Sequence, residues 1–460
     1  MSKIRIETGL DGLILQKENE LVYQPPWDIL TGDWEVREGQ GRRLRRLREQ
    51  LPRLSRAAGR GHSGWKNAHL YAFRTYGFVQ LHSGAPTVPL FRGSPRKKGT
   101  PTATEVTDAL SEAARWIART TSEKGKFTYL YYPVRDASNF PLHYGVVRHA
   151  AAVYGLFAAN KILRDDDIGR VAERSLGYMK GISRAPLFHG DALSVRQNGL
   201  SFLGATALGL LSLDAKGAEN LSAEERETAR RYADFLLLMQ MDDGAYRTFY
   251  LQKLVGYRPS TPPLYFPGES LLALVRYARW ADDPKYLEAA KRAAVAQIGD
   301  FNESGKPDHW CTQALSELAR VDGDPRWAKA CFEMGEYYLK SQYGTGAKAR
   351  FRDYAGGFDN SQPPRATPAA SRTEALGAVY DLAAHLRNEK QVRRYGRAIL
   401  MANRFIMNNQ YGDENSYHLR NRAVARGGIR GGLVDNTIRV DYNQHSMIAM
   451  LAALRVLEEN

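Results

Sequence analysis

Carboxylates and histidines recur at one kind of position in this chain, in or beside the polar stretches that introduce apolar helices. These stretches read HGDALSVRQN, YFPGES, GKPDHW, PAASRTEA and DNTIRVDYNQH. Paired carboxyl groups can open a glycosidic bond, because a protonated one assists the leaving group while an ionised one activates water or attacks. The carboxylates predicted to do this chemistry are Asp191, Glu269, Asp308, Glu374 and Asp441.

Each of these carboxylates alone also has a structural explanation. Asp and Glu are common in a first helical turn, where they cap free backbone N–H groups, and Glu269 and Glu374 are the most open to this objection. Catalysis is favoured because the stretches would meet at one place if their helices form a ring. Side chains nearby are predicted to hold the substrate, and these are His143, Arg148, His309, Trp310 and His445.

The densest group of polar residues lies near the C-terminus. The sequences ENSYHLRN at 414–421 and DNTIRVDYNQH at 435–445 are joined through GGIRGG, whose glycines let the backbone approach a ligand closely. So many polar residues before one helix exceed what a cap requires. The substrate-binding residues predicted here are Arg420, Arg430, Asp435 and Arg439, and the arginines suit carboxylates.

A segment that occurs four times along the chain indicates how these residues are positioned. Each copy ends a helix at a Gly-rich or polar turn, continues as a short aromatic extended piece, and precedes a more apolar helix. Three of the four copies carry Gln near the turn. Repetition at this scale is typical of stacked helical hairpins. The copies occupy 116–132, 235–250, 337–354 and 405–420.

Two sets of predicted helices alternate from residue 105 onward. Helices of the second set must be covered nearly all round, so we predict an inner ring of six helices within six outer ones, the (α/α)6 toroid. The amphipathic, charged outer set lies at 105–121, 168–182, 223–240, 284–298, 325–341 and 390–408. The inner set, rich in Ala, Gly and Leu, lies at 144–163, 198–213, 268–280, 308–320, 373–386 and 441–458.

An open helical solenoid is the rival architecture. Solenoid repeats are usually more even in length than the intervals between successive inner helices here. A closed ring therefore fits better. It also brings the lead-in stretches to one mouth, where helix N-termini suit hydroxyl-rich or anionic ligands.

Residues 1–100 are predicted to form a small α+β appendage, and residues 101–460 the toroid. IRIETGLDGLILQKENELVYQPP and YAFRTYGFVQLH alternate apolar and polar residues as strands do. GRRLRRLREQLPRLSRAAGR at 41–60 has the pattern of a basic amphipathic helix. A solvated helix face is favoured over nucleic-acid binding, because no interleaved aromatic residues accompany the basic ones.

Composition limits the class of protein and its partners. Apolar residues make up 43% and charged residues 25%, and no run is apolar enough for a membrane span or export signal, so a cytoplasmic protein is predicted. The net charge of +15 favours an anionic partner such as an acidic polysaccharide.

Cys311 and Cys331 match no zinc or redox spacing, and no phosphate or dinucleotide loop occurs. Neither a metal nor a cofactor is therefore predicted.

The hairpin array from 105 to 460 resembles the six-hairpin glycosidase superfamily, whose members are mostly glycoside hydrolases, with polysaccharide lyases and sugar epimerases among them. Locally, YHLR at 417–420 and RVDY at 439–442 are similar to the paired Tyr-x-Leu-Arg and Arg-x-Asp-Tyr elements of glucuronyl C5-epimerases. This local resemblance implies that Tyr417 and Tyr442 exchange a proton at C5. The spacing between the two elements is longer here, and the histidine that follows is displaced by one position.

Three hypotheses about function follow from these observations. The first is cleavage of glycosidic bonds in an acidic oligo- or polysaccharide by general acid and base. The second is a uronate C5-epimerase or lyase, in which Tyr417 and Tyr442 move the proton and an arginine neutralises the carboxyl group. The third is a non-catalytic toroid that binds a polyanion through its basic surface.

Overall fold

The described part of the first hundred residues forms small antiparallel sheets, as its alternating pattern predicts. The computed structural model describes residues 6–31, 35–38, 41–44, 69–139, 144–251, 256–257 and 265–458. The first elements are β1 (Asp11–Lys17), β2 (Glu20–Gln24), α1 (Pro26–Thr31), β3 (Glu35–Glu38), β4 (Gly41–Leu44), β5 (His69–Arg74), β6 (Gly77–Val79) and β7 (Val88–Leu90). β1 lies between β2 and β5, whereas β3 pairs with β4 and β6 with β7.

The prediction of a basic helix over 41–60 is wrong at its start. Residues Gly41–Leu44 form β4, which pairs in register with β3. Residues 45–60 lie outside the described part of the chain. The strand expected over 71–82 is also divided, because β5 ends at Arg74 and β6 begins at Gly77.

From residue 103 the chain alternates outer and inner helices, which confirms the predicted toroid. The helices are α2 (Ala103–Arg119), α3 (Val146–Leu163), α4 (Asp166–Ile182), α5 (Leu203–Lys216), α6 (Ala223–Met239), α7 (Phe266–Ala278), α8 (Lys285–Ser304), α9 (His309–Asp322), α10 (Pro325–Ser341), α11 (Ala366–His385), α12 (Glu389–Met407), α13 (Arg422–Ala425) and α14 (Val440–Glu458). The even-numbered helices from α2 to α12 are outer. The odd-numbered helices from α3 to α11, together with α14, are inner.

The outer helices bury one face and leave the opposite face in solvent. In α2 the buried residues include Val106, Leu110 and Ile117, whose spacing of four and seven matches one helical face. Its start is fixed by a capping box, in which Thr102 and Glu105 each accept a hydrogen bond from the other's backbone N–H. The sequence therefore sets both the orientation and the first turn of this helix.

The inner helices form a closed ring. Each of α3, α5, α7, α9 and α11 contacts the next inner helix, and α14 contacts both α11 and α3. Small residues allow this approach, since a Cβ added to Gly377 of α11 would lie 2.7 Å from the Cβ of Ala452 on α14. The open solenoid is therefore excluded by the contact between the last and first inner helices.

Short strands occupy the links between outer and inner helices. They are β8 (Leu130–Tyr132), β9 (Ala137–Asn139), β10 (Ser183–Arg184), β11 (Ser194–Gln197), β12 (Leu200–Phe202), β13 (Phe249–Leu251), β14 (Gly256–Tyr257), β15 (Arg430–Gly432) and β16 (Asp435–Arg439). One sheet has the order β10-β11-β12-β13-β14 and the other the order β15-β16-β8-β9. The second sheet joins the first hairpin to the last, so it also helps to close the ring.

Four of the six inner helices begin within two residues of the predicted start, whereas α5 and α11 begin further away. Asn198 and Gly199 have φ of 50° and 79° and form the two-residue turn between β11 and β12, so α5 begins at Leu203 rather than at 198. The helix α11 begins at Ala366 instead of 373, because Pro368 is tolerated within a first helical turn. Glu374 is therefore well inside α11 and is not an N-terminal cap.

The repeated segments tie outer helices to one another. Gln240, Gln342 and Gln410 follow the outer helices α6, α10 and α12, and each side-chain amide donates to a backbone carbonyl of another outer helix. The acceptors are Ala289 on α8, Ala398 on α12 and Ala109 on α2, at 2.8 to 2.9 Å. The glutamines of the repeated segments thus join neighbouring outer helices by hydrogen bonds. Gln410 joins the last outer helix, α12, to the first, α2.

A glycine near each glutamine makes a second contact with the same helix. Gly244 and Gly356 have φ of +86° and +83°, and a Cβ on them would lie 2.3 and 2.1 Å from the carbonyl oxygens of Arg292 and Met401. Gly427 approaches α2 in the same way. The turn therefore requires a residue that has no Cβ and adopts a left-handed conformation.

Replacing Gly356 by alanine should destabilise the protein by about 2–4 kcal/mol, because the new methyl group meets backbone atoms and the left-handed conformation becomes strained. The measurement is the free energy of unfolding from urea denaturation. The control is Gly299→Ala in α8, where no atom lies within 4 Å of the added Cβ. That change should leave stability unchanged or raise it by up to about 1 kcal/mol. Equal effects of the two substitutions would contradict the proposed contact.

Within the residues that the structure describes, no helix combines the length and the apolar composition needed to cross a lipid bilayer.

Candidate active site

A histidine and a glutamate from neighbouring inner helices form the centre of the candidate site. His445 on α14 and Glu374 on α11 are joined by a 2.7 Å hydrogen bond between Nδ1 and Oε1. The Glu374 side chain is completely buried, and its Oε2 has no hydrogen-bond partner within the described residues. Because an ionised carboxylate only accepts, Nδ1 carries the proton and Nε2 of His445 is left for a substrate.

The surroundings of His445 set its protonation. Burial alone would lower the pKa of this imidazole, but the charge and hydrogen bond of Glu374, together with the charge of Asp441, raise it above the ordinary value. Arg148 opposes this change weakly. The imidazole therefore keeps its proton to a higher pH than a free histidine does.

Replacing Glu374 by glutamine should lower the pKa of His445 below that of an ordinary histidine, since burial then acts with less opposition. The measurement is an NMR titration of the protein labelled with 13C-histidine. His385, which is exposed at the far end of α11, gives the reference signal in both proteins. An unchanged pKa of His445 in the variant would show that Glu374 does not control it.

A second histidine lies beside the first. The ring of His309, the first residue of α9, is 5.5 Å from that of His445 between centroids. Its Nδ1 is 3.3 Å from Oδ1 of Asp308, and its Nε2 is buried without a hydrogen-bond partner in the described part of the chain. Trp310 lies 6.2 Å from His445 and Tyr265 lies 5.2 Å from His309. Two imidazoles with aromatic walls are thus gathered where three successive inner helices meet.

A group of arginines adjoins these histidines. Arg439 donates to both oxygens of Asp441, at 2.5 and 2.7 Å, and Arg148 donates to Oδ2 at 3.0 Å. Burial alone would raise the pKa of Asp441, but the two guanidinium groups lower it below its ordinary value. Asp441 therefore stays ionised and holds the arginines in place. It is not a free general acid.

Two of the other predicted acids lie between inner helices. Asp308 caps α9, where its carboxylate accepts from the backbone N–H groups of Trp310 and Cys311 at 3.2 and 3.3 Å. Glu269 on α7 is buried against Gly204 of α5, and its Oε2 has no hydrogen-bond partner in the described residues. Burial and the charge of Asp308 raise the pKa of Glu269 well above its ordinary value. Glu269 therefore holds its proton more strongly than an ordinary glutamate, whereas Asp308 acts as a helix cap.

Three predicted residues lie apart from the histidines. Asp191 is exposed, in a turn whose Gly190 carbonyl accepts a hydrogen bond from Arg231 on outer helix α6. Tyr417 is half-buried against Trp27 of α1, with ring centroids 6.4 Å apart. Arg420 is exposed. The structure places none of these side chains in contact with His445 or Glu374.

The remaining predicted residues are held elsewhere. Arg430 is buried over the ring of Tyr411, at 5.6 Å, and burial lowers its pKa. Asp435 accepts from the backbone N–H and the hydroxyl of Thr437 at 3.2 and 2.6 Å, which fixes the start of β16. His143 lies outside the described residues.

The structure also adds residues that the sequence analysis did not select. The Tyr129 hydroxyl accepts a hydrogen bond from Arg148 at 2.6 Å, and Arg365 lies 3.4 Å from the hydroxyl of Tyr442, which is fully buried. Arg439 stacks on the Tyr442 ring at 4.4 Å. Tyr129 belongs to the first repeated aromatic piece and Arg365 to the lead-in of α11, so position in the repeat was the available signal.

Three of these side chains have the spacing of possible metal ligands. The donor atoms of His309, Glu374 and His445 lie within 4.8 Å of one another. Two histidines and one carboxylate can bind a first-row transition metal. The direct hydrogen bond between the two residues already engages Oε1 of Glu374 and Nδ1 of His445. The sequence-based expectation of no metal stays a prediction.

Comparison with known proteins places the fold among those of several sugar-processing enzymes. No protein-family model matches the chain, and no curated protein sequence is significantly similar to it. A D-mannose isomerase structure is 14% identical, covers 76% of this chain and 97% of its own, and has a TM-score of 0.53. The cellobiose 2-epimerase of Bacillus thermoamylovorans is 11% identical, with coverage of 76% and 98% and a TM-score of 0.57. The α-1,6-mannanase of Salegentibacter sp. is 10% identical, with coverage of 76% and 99% and a TM-score of 0.53. The chain therefore shares the six-hairpin (α/α)6 toroid fold of these structures.

Proposed function

We propose that this protein is a carbohydrate-active enzyme that moves a proton on a sugar, with His309 and His445 as its acid and base. The observation that carries the proposal is the pair of imidazoles 5.5 Å apart, one of them bonded to Glu374. Histidine is the side chain best suited to give and take protons near neutral pH. Two of the similar structures are named as a sugar isomerase and a sugar epimerase, which agrees with this chemistry.

The proposed step is exchange of a proton at a carbon next to a carbonyl group. One neutral imidazole removes the proton, and the electron pair of the broken C–H bond moves to the carbonyl oxygen to give an enolate or enediol. The other imidazole, in its protonated form, returns a proton to carbon. Glu374 positions His445 by holding Nδ1–H, and Nε2 of His309 has no competing hydrogen bond within the described residues.

The arginines support an acidic substrate. Arg148 and Arg439 share a single carboxylate, Asp441, so the group carries an excess positive charge. The Arg148 side chain is 41% exposed, and its hydrogen bonds to Asp441 and Tyr129 leave further N–H groups for a ligand. A sugar carboxylate placed there would be held by charge-assisted hydrogen bonds.

The test is incubation of the protein in deuterium oxide with a panel of neutral reducing sugars, uronic acids and acidic oligosaccharides. We expect deuterium to enter at the carbon next to the carbonyl of one substrate class, detected by NMR, without new reducing ends. New reducing ends without deuterium incorporation would overturn the proposal in favour of hydrolysis. Binding of an acidic glycan without either product would support the non-catalytic hypothesis.

Hydrolysis is the second candidate, because burial and the charge of Asp308 raise the pKa of Glu269 and so favour the protonated form that a general acid needs. The structural comparison offers a contrast, since an inactive variant of the Salegentibacter mannanase has two consecutive aspartates replaced. Consecutive aspartates occur here at 165–167, 242–243 and 282–283, and all three sets lie at or next to the ends of outer helices. If hydrolysis is the activity, Glu269→Gln should stop the formation of new reducing ends, and a variant that still forms them at the full rate would count against a catalytic role for Glu269.

The tyrosine-based epimerase hypothesis can be tested with Tyr442→Phe. If Tyr442 exchanged the proton, this variant would lose turnover altogether. Under the histidine mechanism we expect only a mild loss, because the hydroxyl contacts Arg365 at 3.4 Å while the ring contact with Arg439 is kept. The measurement is the rate of deuterium incorporation, with Tyr417→Phe as the companion variant.

A further inference from the structure

A second cavity lies outside the ring, between the link to the toroid and the outer helix α12. We call it the linker groove, and it encloses about 860 Å³ between residues 89–100, α12 and the end of α14. It includes none of the histidines or carboxylates of the candidate active site. We propose that the linker groove binds a small amphiphile, a molecule with an aliphatic chain and a phosphate or carboxylate head.

The floor of the groove is largely aliphatic. Its volume is within the range of pockets that enclose small molecules. An aliphatic chain would remove this surface from water, which favours binding by the hydrophobic effect. The side chains that form the floor are Phe91, Val392, Leu400, Met401, Val456 and Leu457.

The rim of the groove is strongly basic. Seven lysine and arginine side chains line it, against the single carboxylate of Asp353. Four of the seven have acidic partners, since Arg404 and Lys97 both pair with Glu105, Arg393 pairs with Glu389, and Arg96 pairs with Asp353. A head group that carries negative charge would therefore find an uncompensated positive field at this rim.

Three rim cations have no such partner. Within the described part of the chain, no carboxylate pairs with Lys98, Arg352 or Arg397. Arg352 stacks on the Phe91 ring at 4.5 Å, so its guanidinium lies where the basic rim meets the apolar floor. An anionic head at that boundary would receive charge-assisted hydrogen bonds while its chain follows the floor.

The composition favours an amphiphile over the other anions considered for this chain. Single-stranded nucleic acid needs successive aromatic faces, and the floor offers aliphatic side chains beside Phe91 and Tyr380. A saccharide presents hydroxyl groups that an aliphatic floor cannot satisfy. An aliphatic chain with a charged head matches both parts of the groove.

The test is isothermal titration calorimetry of the full chain with decyl phosphate below its micelle concentration. Decyl maltoside supplies the same chain with an uncharged head, and inorganic phosphate supplies the head without the chain. We expect decyl phosphate to bind at least about tenfold more tightly than either. The proposal would be overturned if decyl phosphate did not bind. It would also be overturned if decyl maltoside or inorganic phosphate bound as tightly as decyl phosphate.

Two charge reversals locate the site. Arg397→Glu should weaken decyl phosphate binding by about tenfold, because it removes an unpaired rim cation and adds a repelling charge. Lys329→Glu makes the same change at an exposed lysine of outer helix α10, which does not line the groove, and should leave binding unchanged. Both positions are exposed, so the variants should fold, and thermal unfolding checks this. Equal weakening by both would show binding through general charge, which overturns the assignment to this groove.

Discussion

Replacing His445 by glutamine should lower kcat/KM by about 10²–10⁴-fold, because it removes a positioned acid or base from the reacting proton. The imidazole combines a hydrogen bond to the buried Glu374 with a neighbouring imidazole at 5.5 Å. Glutamine retains a polar group of similar reach but cannot exchange a proton near neutral pH. The measurement is deuterium incorporation into the sugar identified with the panel, followed at several substrate concentrations.

The control for this prediction is His385→Gln. His385 is exposed at the C-terminal end of α11, and Glu374 lies in the N-terminal half of the same helix. This variant should match the unmodified protein in both rate and thermal stability. A His445→Gln variant that folds and retains its rate would exclude the histidine mechanism. Loss of rate in both His445→Gln and His385→Gln would indicate a change in the fold.

His309→Gln gives a second measure of the same mechanism. If the two histidines act on opposite sides of one proton transfer, each single variant should lose most of the activity. The double variant should then lose little more, because residues that act as a unit are strongly non-additive. If the losses of activity in the two single variants were independent and additive, one of the two histidines would not take part in the proton transfer.

The fold could be predicted because its signals are local and repeated. Amphipathic and uniformly apolar helices alternate in sequence, and the turn glutamines recur because each makes the same bond to an outer helix. The first residues of α5 and α11 were harder to predict. The Asn198-Gly199 turn inserts a hairpin before α5, and Pro368 stands within the first turn of α11 instead of before it.

The site could be predicted only in part, because its geometry depends on contacts between residues far apart in sequence. Residue type marked Glu374 as a candidate acid and His445 as a binding residue, but their hydrogen bond spans 71 positions and no local pattern reports it. Asp308 and Asp441 stand in the expected stretches and are held by backbone N–H groups and arginines. Tyr417 was selected by a local resemblance, and the structure packs it on Trp27 from the first hundred residues.

A buried ion cluster joins that first part of the chain to the toroid. Asp353 lies between α10 and α11, and its side chain is completely buried. It accepts from Nε of Arg92 at 2.7 Å and from Nη2 of Arg96 at 3.4 Å. Burial lowers the pKa of Arg96 to about 10, with the Asp353 charge acting against this change. Asp353 is thus the carboxylate shared by two guanidinium groups that have little contact with water, and Arg92 has Glu7 as a second acidic partner at 2.8 Å.

Replacing Asp353 by asparagine should therefore lower the free energy of unfolding by about 3–5 kcal/mol, since it leaves two buried cations with too little compensation. This is a large part of the stability of an ordinary domain, about 5–15 kcal/mol. Urea denaturation measures the loss. Limited proteolysis should show that residues before 100 are cut sooner, because Arg92 and Arg96 anchor that part of the chain to the ring.

The matched control is Asp413→Asn, which removes a carboxylate from an exposed pair with Arg426 at 3.4 Å. Such pairs contribute less than about 1 kcal/mol, because water screens both charges. If the two variants lost equal stability, the buried cluster would not be the anchor. If Asp353→Asn were as stable as the unmodified protein, water or another carboxylate, such as Glu7 at 2.8 Å from Arg92, would have to compensate both arginines.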